Sequence, residues 1–136
     1  MASHTGLVVA RPGLVRDGLQ AVLSAVPGVE ALDPADCAAS ALERLENHSL
    51  CLTILDSSLS EEELCTTLRM IKEQWPHVWC IVVAGSPRQG RVVQTAGADD
   101  VLVEGFAPPL LSKMIRDVID ASDSPVAEAE AQDEGN

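Results

Sequence analysis

The chain has 136 residues, 46% of them hydrophobic, with 9 basic against 21 acidic residues, a net charge of -12 and a sequence pI of about 4.4. That length suits one domain with a real core, and no apolar run approaches the roughly 18 residues of a membrane span. The few scattered Lys and Arg argue against a nucleic-acid partner, and the Met1 to Gly6 segment lacks a signal peptide's basic region, so no membrane role and a cytoplasmic location are expected.

Leu7-Val8-Val9-Ala10 is a short apolar run stopped by Arg11-Pro12-Gly13, which predicts a strand and a turn. From Leu14 to Ala25, Leu14, Val15, Gly18, Leu19, Val22 and Leu23 recur at helical spacing, and Pro27-Gly28 ends the helix. Val29 to Leu32 reads as a weak second strand. Pro34 to Asn47 reads as a second helix with Ala38, Ala41, Leu42 and Leu45 turned inward. Cys51 to Leu55 is the third strand. Ser60 then caps a helix whose first turn holds Glu61, Glu62 and Glu63, where the helix dipole favours acids; it ends near Gln74, ahead of Trp75-Pro76.

Trp79 to Ala84 is wholly apolar, as a parallel strand buried on both faces must be. After Gly85-Ser86-Pro87, the helix from Arg88 to Thr95 contains Gly90, which costs about 1 kcal/mol relative to alanine and predicts a short or mobile element. Ala96-Gly97-Ala98-Asp99 leads to a fifth strand, Val101-Leu102-Val103, and Pro108 and Pro109 suit the first turn of a last helix, Leu110 to Asp120. Strands alternating with helices predict an α/β fold over residues 1–121: a five-stranded parallel sheet, flavodoxin-like (βα)5, in the order 2-1-3-4-5. Residues 122–136 carry five acids and no base and have little to bury, so a disordered acidic tail is expected.

Cys37, Cys51, Cys65 and Cys80 lack metal-ligand spacing and suit reduced thiols. His4, His48 and His77 have no partner at ligand spacing and read as surface residues. Trp75 and Trp79 flank Pro76-His77 and are expected to pack, with an exposed indole marking an interface. Gly85, Gly90 and Gly97 make no phosphate-binding fingerprint, and no cobalamin or flavin loop is recognisable.

Asp56 ends the apolar run of the third strand and opens a Ser/Glu-rich loop. A buried carboxylate is costly unless paired, so Asp56 is expected at a mouth, on the carboxyl edge of the sheet where ligands collect. Leu14-Val15-Arg16-Asp17-Gly18-Leu19 resembles the LVREGL run of response-regulator receiver domains. The stretch from Leu52 through Asp56 to Ala84 is similar in length and pattern to their third and fourth strands. Gly97 to Phe106 resembles their GADGYLLKPF segment. The resemblance spans residues 6–120 and implies that Asp56 is the phospho-acceptor candidate.

The same resemblance exposes what is replaced. The family's two Mg²⁺-holding acids align with Ala10 and Arg11, its switch hydroxyl with Ala84, its lysine with Glu104 and its switch aromatic with Val101. Mg²⁺ wants near-octahedral oxygen ligation; Ala10 offers no ligand and Arg11 a competing charge, so no metal is expected. Glu104 places negative charge where the family has a cation. The exchange of signs predicts that the Arg11 guanidinium pairs with Asp56, and with Glu104, in a permanently locked site. Ser86, Ser57 and Ser58 are candidate substitutes for the lost hydroxyl, although loop serines commonly bond their own turn.

These readings predict a stand-alone, atypical receiver-like module of two-component phosphorelay signalling. It is expected to be no enzyme, to use no cofactor and to act without phosphorylation through protein contacts. Candidate partners are a histidine kinase, a regulator or a second copy of the chain as a homodimer. The alternatives are a working phospho-acceptor using Asp56 with a non-standard Mg²⁺ site, and a small-ligand-binding pseudo-receiver with a pocket at the strand ends.

Overall fold

Ten elements alternate along the computed structural model, which describes residues 4–123: β1 (His4–Val9), α1 (Leu14–Ala25), β2 (Val29–Ala31), α2 (Ala38–Asn47), β3 (Leu52–Asp56), α3 (Glu61–Gln74), β4 (Trp79–Ala84), α4 (Pro87–Ala96), β5 (Asp100–Val103) and α5 (Pro108–Asp123). The five strands form one parallel sheet in the order β2-β1-β3-β4-β5, as expected. Strand side chains alternate faces. Leu7, Val9, Leu55 and Val82 join Leu45, Leu64, Leu68 and Val93 in one core, while Val8, Ile54, Ile81 and Leu102 join Leu19, Leu23, Leu111 and Ile115 in the other. Helices therefore cover both faces, and the loops after β3 and β4 at the carboxyl edge spring from buried strand ends.

Several boundaries move for identifiable reasons. The second helix starts at Ala38, not Pro34, because Ala35 pairs with β1: Ala35 N–H donates to Val8 O and Ala10 N–H to Ala35 O, both at 2.9 Å. In α1 only Leu19 and Leu23 are buried; Leu14 and Val15, the first two residues of the helical pattern, are 89% and 58% exposed. Ser60 does cap α3, its Oγ accepting from Glu63 N–H at 3.1 Å. The last helix runs to Asp123, two residues past the expected boundary at 121, and the rest of the expected tail, 124–136, lies outside the described residues.

The helix expected to be short is a full ten residues. Ser86 Oγ caps α4 by accepting from Gln89 N–H at 3.1 Å, and Gly90, Val93 and Ala96 are buried. Gly90 is therefore a packing residue. A Cβ there would lie 3.1 Å from Val101 Cγ1 and 3.9 Å from Ala84 Cβ, so α4 rests directly on the sheet.

At the opposite edge of the sheet Lys72 Nζ donates to Asp99 Oδ2 at 2.8 Å and to Val78 O at 3.0 Å, while Cys80 N–H donates to the same Asp99 oxygen at 2.8 Å. Cys37, Cys65 and Cys80 are free thiols. Burial pushes the Cys80 thiol up from 9.0 to about 11, outweighing the hydrogen bond from Thr53 that lowers it. The folded state thus holds the proton that the unfolded chain releases near its ordinary value. Stability should be intact below pH 9 and fall by about 2 kcal/mol as the pH rises towards 11. Denaturant midpoints across that range would show the slope, and Cys80→Ala should flatten it.

Candidate functional site

Asp56 is the last residue of β3, opposite Val83 of β4 in a strand whose five residues are all buried. It stands at the carboxyl edge, yet not at an open mouth: the residue is only 2% exposed. Oδ2 accepts from Ser58 N–H at 3.0 Å, and Oδ1 is buried without a hydrogen-bond partner. The chain closes over the carboxylate by linking its next two residues to neighbouring loops. Ser57 Oγ donates to Glu104 Oε1 at 2.7 Å, and Arg11 N–H donates to Ser58 Oγ at 2.9 Å. A carboxylate with one buried oxygen unsatisfied is costly, so the surrounding loops must hold it in place.

The predicted site positions do converge on this edge. Ala10, fully buried, and exposed Arg11 follow β1; Ala84 ends β4, and its carbonyl accepts from Glu104 N–H at 2.9 Å. Val101 lies on β5, half-buried under Gly90. The predicted Arg11–Asp56 ion pair does not form. Arg11 instead reaches outward, Nη2 donating to Glu63 Oε1 and Nη1 to Asp36 O, both at 3.0 Å. Glu63 Oε2 also accepts from Ala38 N–H at 3.0 Å, so this one carboxylate serves Arg11 and the N-terminus of α2. The reason is position: Arg11 sits on the rim, where the α3 acids are nearer than the covered Asp56 side chain.

Glu63 and Asp36 are the residues that sequence reading missed here. The acidic first turn of α3 was legible only as a match to its own helix dipole. Of the serines proposed as substitute hydroxyls, Ser86 is committed to capping α4, Ser57 to Glu104, and Ser58 to Arg11 and the turn after Asp56. His48 and His77 are exposed, as expected. Trp75 packs against the core, whereas Trp79 is 38% exposed and donates its indole N–H to Asp100 Oδ2 at 2.8 Å.

A groove of about 550 Å³ opens beside Trp79, between α5 and the amino ends of β4 and β5; Cys51, His77, Leu110, Lys113 and Met114 are among its walls. It is on the side of the molecule away from Asp56, not at the carboxyl edge where a ligand pocket was expected.

No family model matches the chain, and no curated protein matches it. Solved structures do. The signal receiver domain of an HD domain-containing protein from Pseudomonas fluorescens Pf-5 is similar with a TM-score of 0.78 at 21% identity, over 97% of this chain and 94% of that one. The receiver domain of the response regulator NarL from Mycobacterium tuberculosis gives 0.75 at 18% identity, over 86% and 96%. This chain has the receiver-domain fold. The Salmonella typhimurium RcsB response regulator is similar at 0.73 and 17% identity over 85% of this chain, which spans 58% of that longer protein.

Within that receiver frame Asp56 occupies the end of β3, and its neighbours make a poor cation site. Ala10 offers no side-chain oxygen, Arg11 brings positive charge to the rim, and the Glu104 carboxylate accepts a hydrogen bond from Ser57. Among the described residues no group of three or more His, Cys, Asp or Glu side chains is placed to hold a metal ion. The same residues include no helix long and apolar enough to cross a membrane.

Proposed function

We propose that this protein is a receiver-type module of two-component signalling that acts through protein contacts and independently of phosphorylation. The observation that carries the reading is the covered state of Asp56, 2% exposed beneath the Ser57–Glu104 and Arg11–Ser58 links. Phosphoryl transfer needs preorganised positive charge around the transferring group. Here the strand-five position supplies Glu104, and Arg11 is engaged by Glu63. The donor set does not fit Mg²⁺, so the proposal includes no metal and no cofactor.

Exposed apolar side chains support a protein partner. Leu14 and Val15 project from the first turn of α1, and Trp79 and Leu110, 44% exposed, border the groove along α5. Exposed aromatic and aliphatic anchors of this kind carry binding energy when a partner desolvates them. The charge of -12 favours a partner with a basic surface; histidine kinases, regulators and a second copy of the chain remain the classes to compare. A second reading, a phospho-acceptor working through Asp56, draws on the unpartnered Oδ1 of that residue.

Incubation with acetyl phosphate and Mg²⁺ followed by intact-protein mass separates the two. The expected result is no phosphoryl increment on folded protein. An increment that disappears in Asp56→Asn would establish the phospho-acceptor and end the phosphorylation-independent reading.

A further inference from the structure

We infer that α4 is locked onto β4 and β5 by a three-residue contact, Gly90 with Ala84 and Val101, so that the surface formed by α4 and β5 keeps one conformation whatever happens at Asp56. This deepens the phosphorylation-independent reading and rests on it only for its functional meaning; the packing claim stands by itself.

Two of the three residues occupy the positions where the resemblance places the receiver's switch hydroxyl and switch aromatic. A Cβ on Gly90 would come within 3.1 Å of Val101 Cγ1 and 3.9 Å of Ala84 Cβ, so the helix backbone already lies as near the sheet as the small side chains beneath it allow. The contact is made by Val101, a small side chain that is half-buried at this point of β5. The hydroxyl that would report on Asp56 from the end of β4 is also gone, because Ala84 has no polar side-chain atom.

The ends of α4 are capped as well, and one exposed ion pair joins its start to α3. At the start Ser86 Oγ accepts from Gln89 N–H, Gln89 Oε1 accepts from Gly85 N–H at 2.8 Å, and Arg88 Nη2 pairs with Glu61 Oε1 of α3 at 2.7 Å. At the end Gly97 N–H donates to Gln94 O and Ala98 N–H to Val93 O, with Val93 and Ala96 buried against the core. A helix capped at both ends and seated on the sheet at its centre is held in this arrangement by its packing. Packed interfaces shift between discrete states, and a state that leaves a void or a clash is not populated.

The sign of one substitution tests this. If space existed under α4, Gly90→Ala would stabilise the helix through propensity, by about fivefold slower amide exchange in local opening. The lock predicts the opposite: Gly90→Ala lifts α4, and hydrogen exchange in residues 87–96 accelerates by about tenfold while β1 and α1 are unchanged. The double variant Gly90→Ala/Val101→Ala removes the methyl groups that the new Cβ meets, and should return α4 exchange to within about twofold of native. Slower exchange in Gly90→Ala, or a double variant that folds with α4 still unprotected, overturns the lock. Should Gly90→Ala alone fail to fold, the double variant decides in the same way.

A third arm keeps this distinct from the proposed function. Native protein treated with acetyl phosphate should show unchanged α4 exchange. If mass shows that Asp56 is modified and α4 is still unchanged, the functional reading fails and the lock survives; if α4 exchange changes on modification, the lock fails.

Discussion

Truncating Ile54 to alanine is expected to lower the unfolding free energy by about 3–4 kcal/mol, a large share of the roughly 5–15 kcal/mol typical of a domain. Ile54 sits at the middle of the central strand, with Val8 of β1 and Ile81 of β4 as its register partners, and all three are fully buried. Its side chain belongs to the core beneath α1 and α5, which includes Leu23, Leu111 and Ile115. A cavity there is walled by two strands and two helices, none of which can collapse into it without breaking its own packing. Urea denaturation monitored by far-ultraviolet circular dichroism measures the loss. Leu14→Ala serves as the contrast, since Leu14 is 89% exposed and its truncation should stay within about 0.5 kcal/mol. If the two variants were equally stable, the assignment of faces on the sheet would be wrong.

Asp99→Ala should cost about 3 kcal/mol, although the residue precedes β5 and is a fifth exposed. One oxygen, Oδ2, accepts from both Lys72 Nζ and Cys80 N–H, so its removal leaves a partly buried ammonium with only carbonyl partners and a strand amide with none. The same pair ties the end of α3 to the start of β4 and the approach to β5. Asp99→Asn keeps an acceptor for Cys80 N–H and loses the charge, so it should retain roughly half of the stability lost in alanine. Thermal unfolding of the two variants beside native protein checks both the size and the order. Equal losses would place the whole effect on the charge, and no loss in either would show that Lys72 is satisfied by Val78 O and Pro76 O alone.

These two sites show how differently the chain could be read. The apolar run Cys51 to Leu55 predicted a buried central strand, and Ile54 is where a period of two places it. Asp99 was legible only as part of the Gly97 to Phe106 segment. Its partner Lys72 lies 27 residues earlier on another element, and no local pattern links them. Gly90 was read through helix propensity alone, which predicted a weak helix; the contact with Val101 reverses its meaning, because a close approach needs the absent side chain that propensity counts as a defect.

The same division runs through the candidate site. Sequence by itself determined the α/β alternation, the strand order and the convergence of Ala10, Arg11, Asp56, Ala84 and Glu104 on one edge, since apolar period, turn residues and the handedness of crossovers are local or topological rules. Only tertiary structure decided where the charges go. Arg11 was expected on Asp56 and pairs with Glu63, Glu104 accepts from Ser57, and Asp56 is covered. Opposite charges identify who could pair; which of several acids within reach of a long side chain is chosen depends on burial and loop geometry that no spacing in the chain encodes.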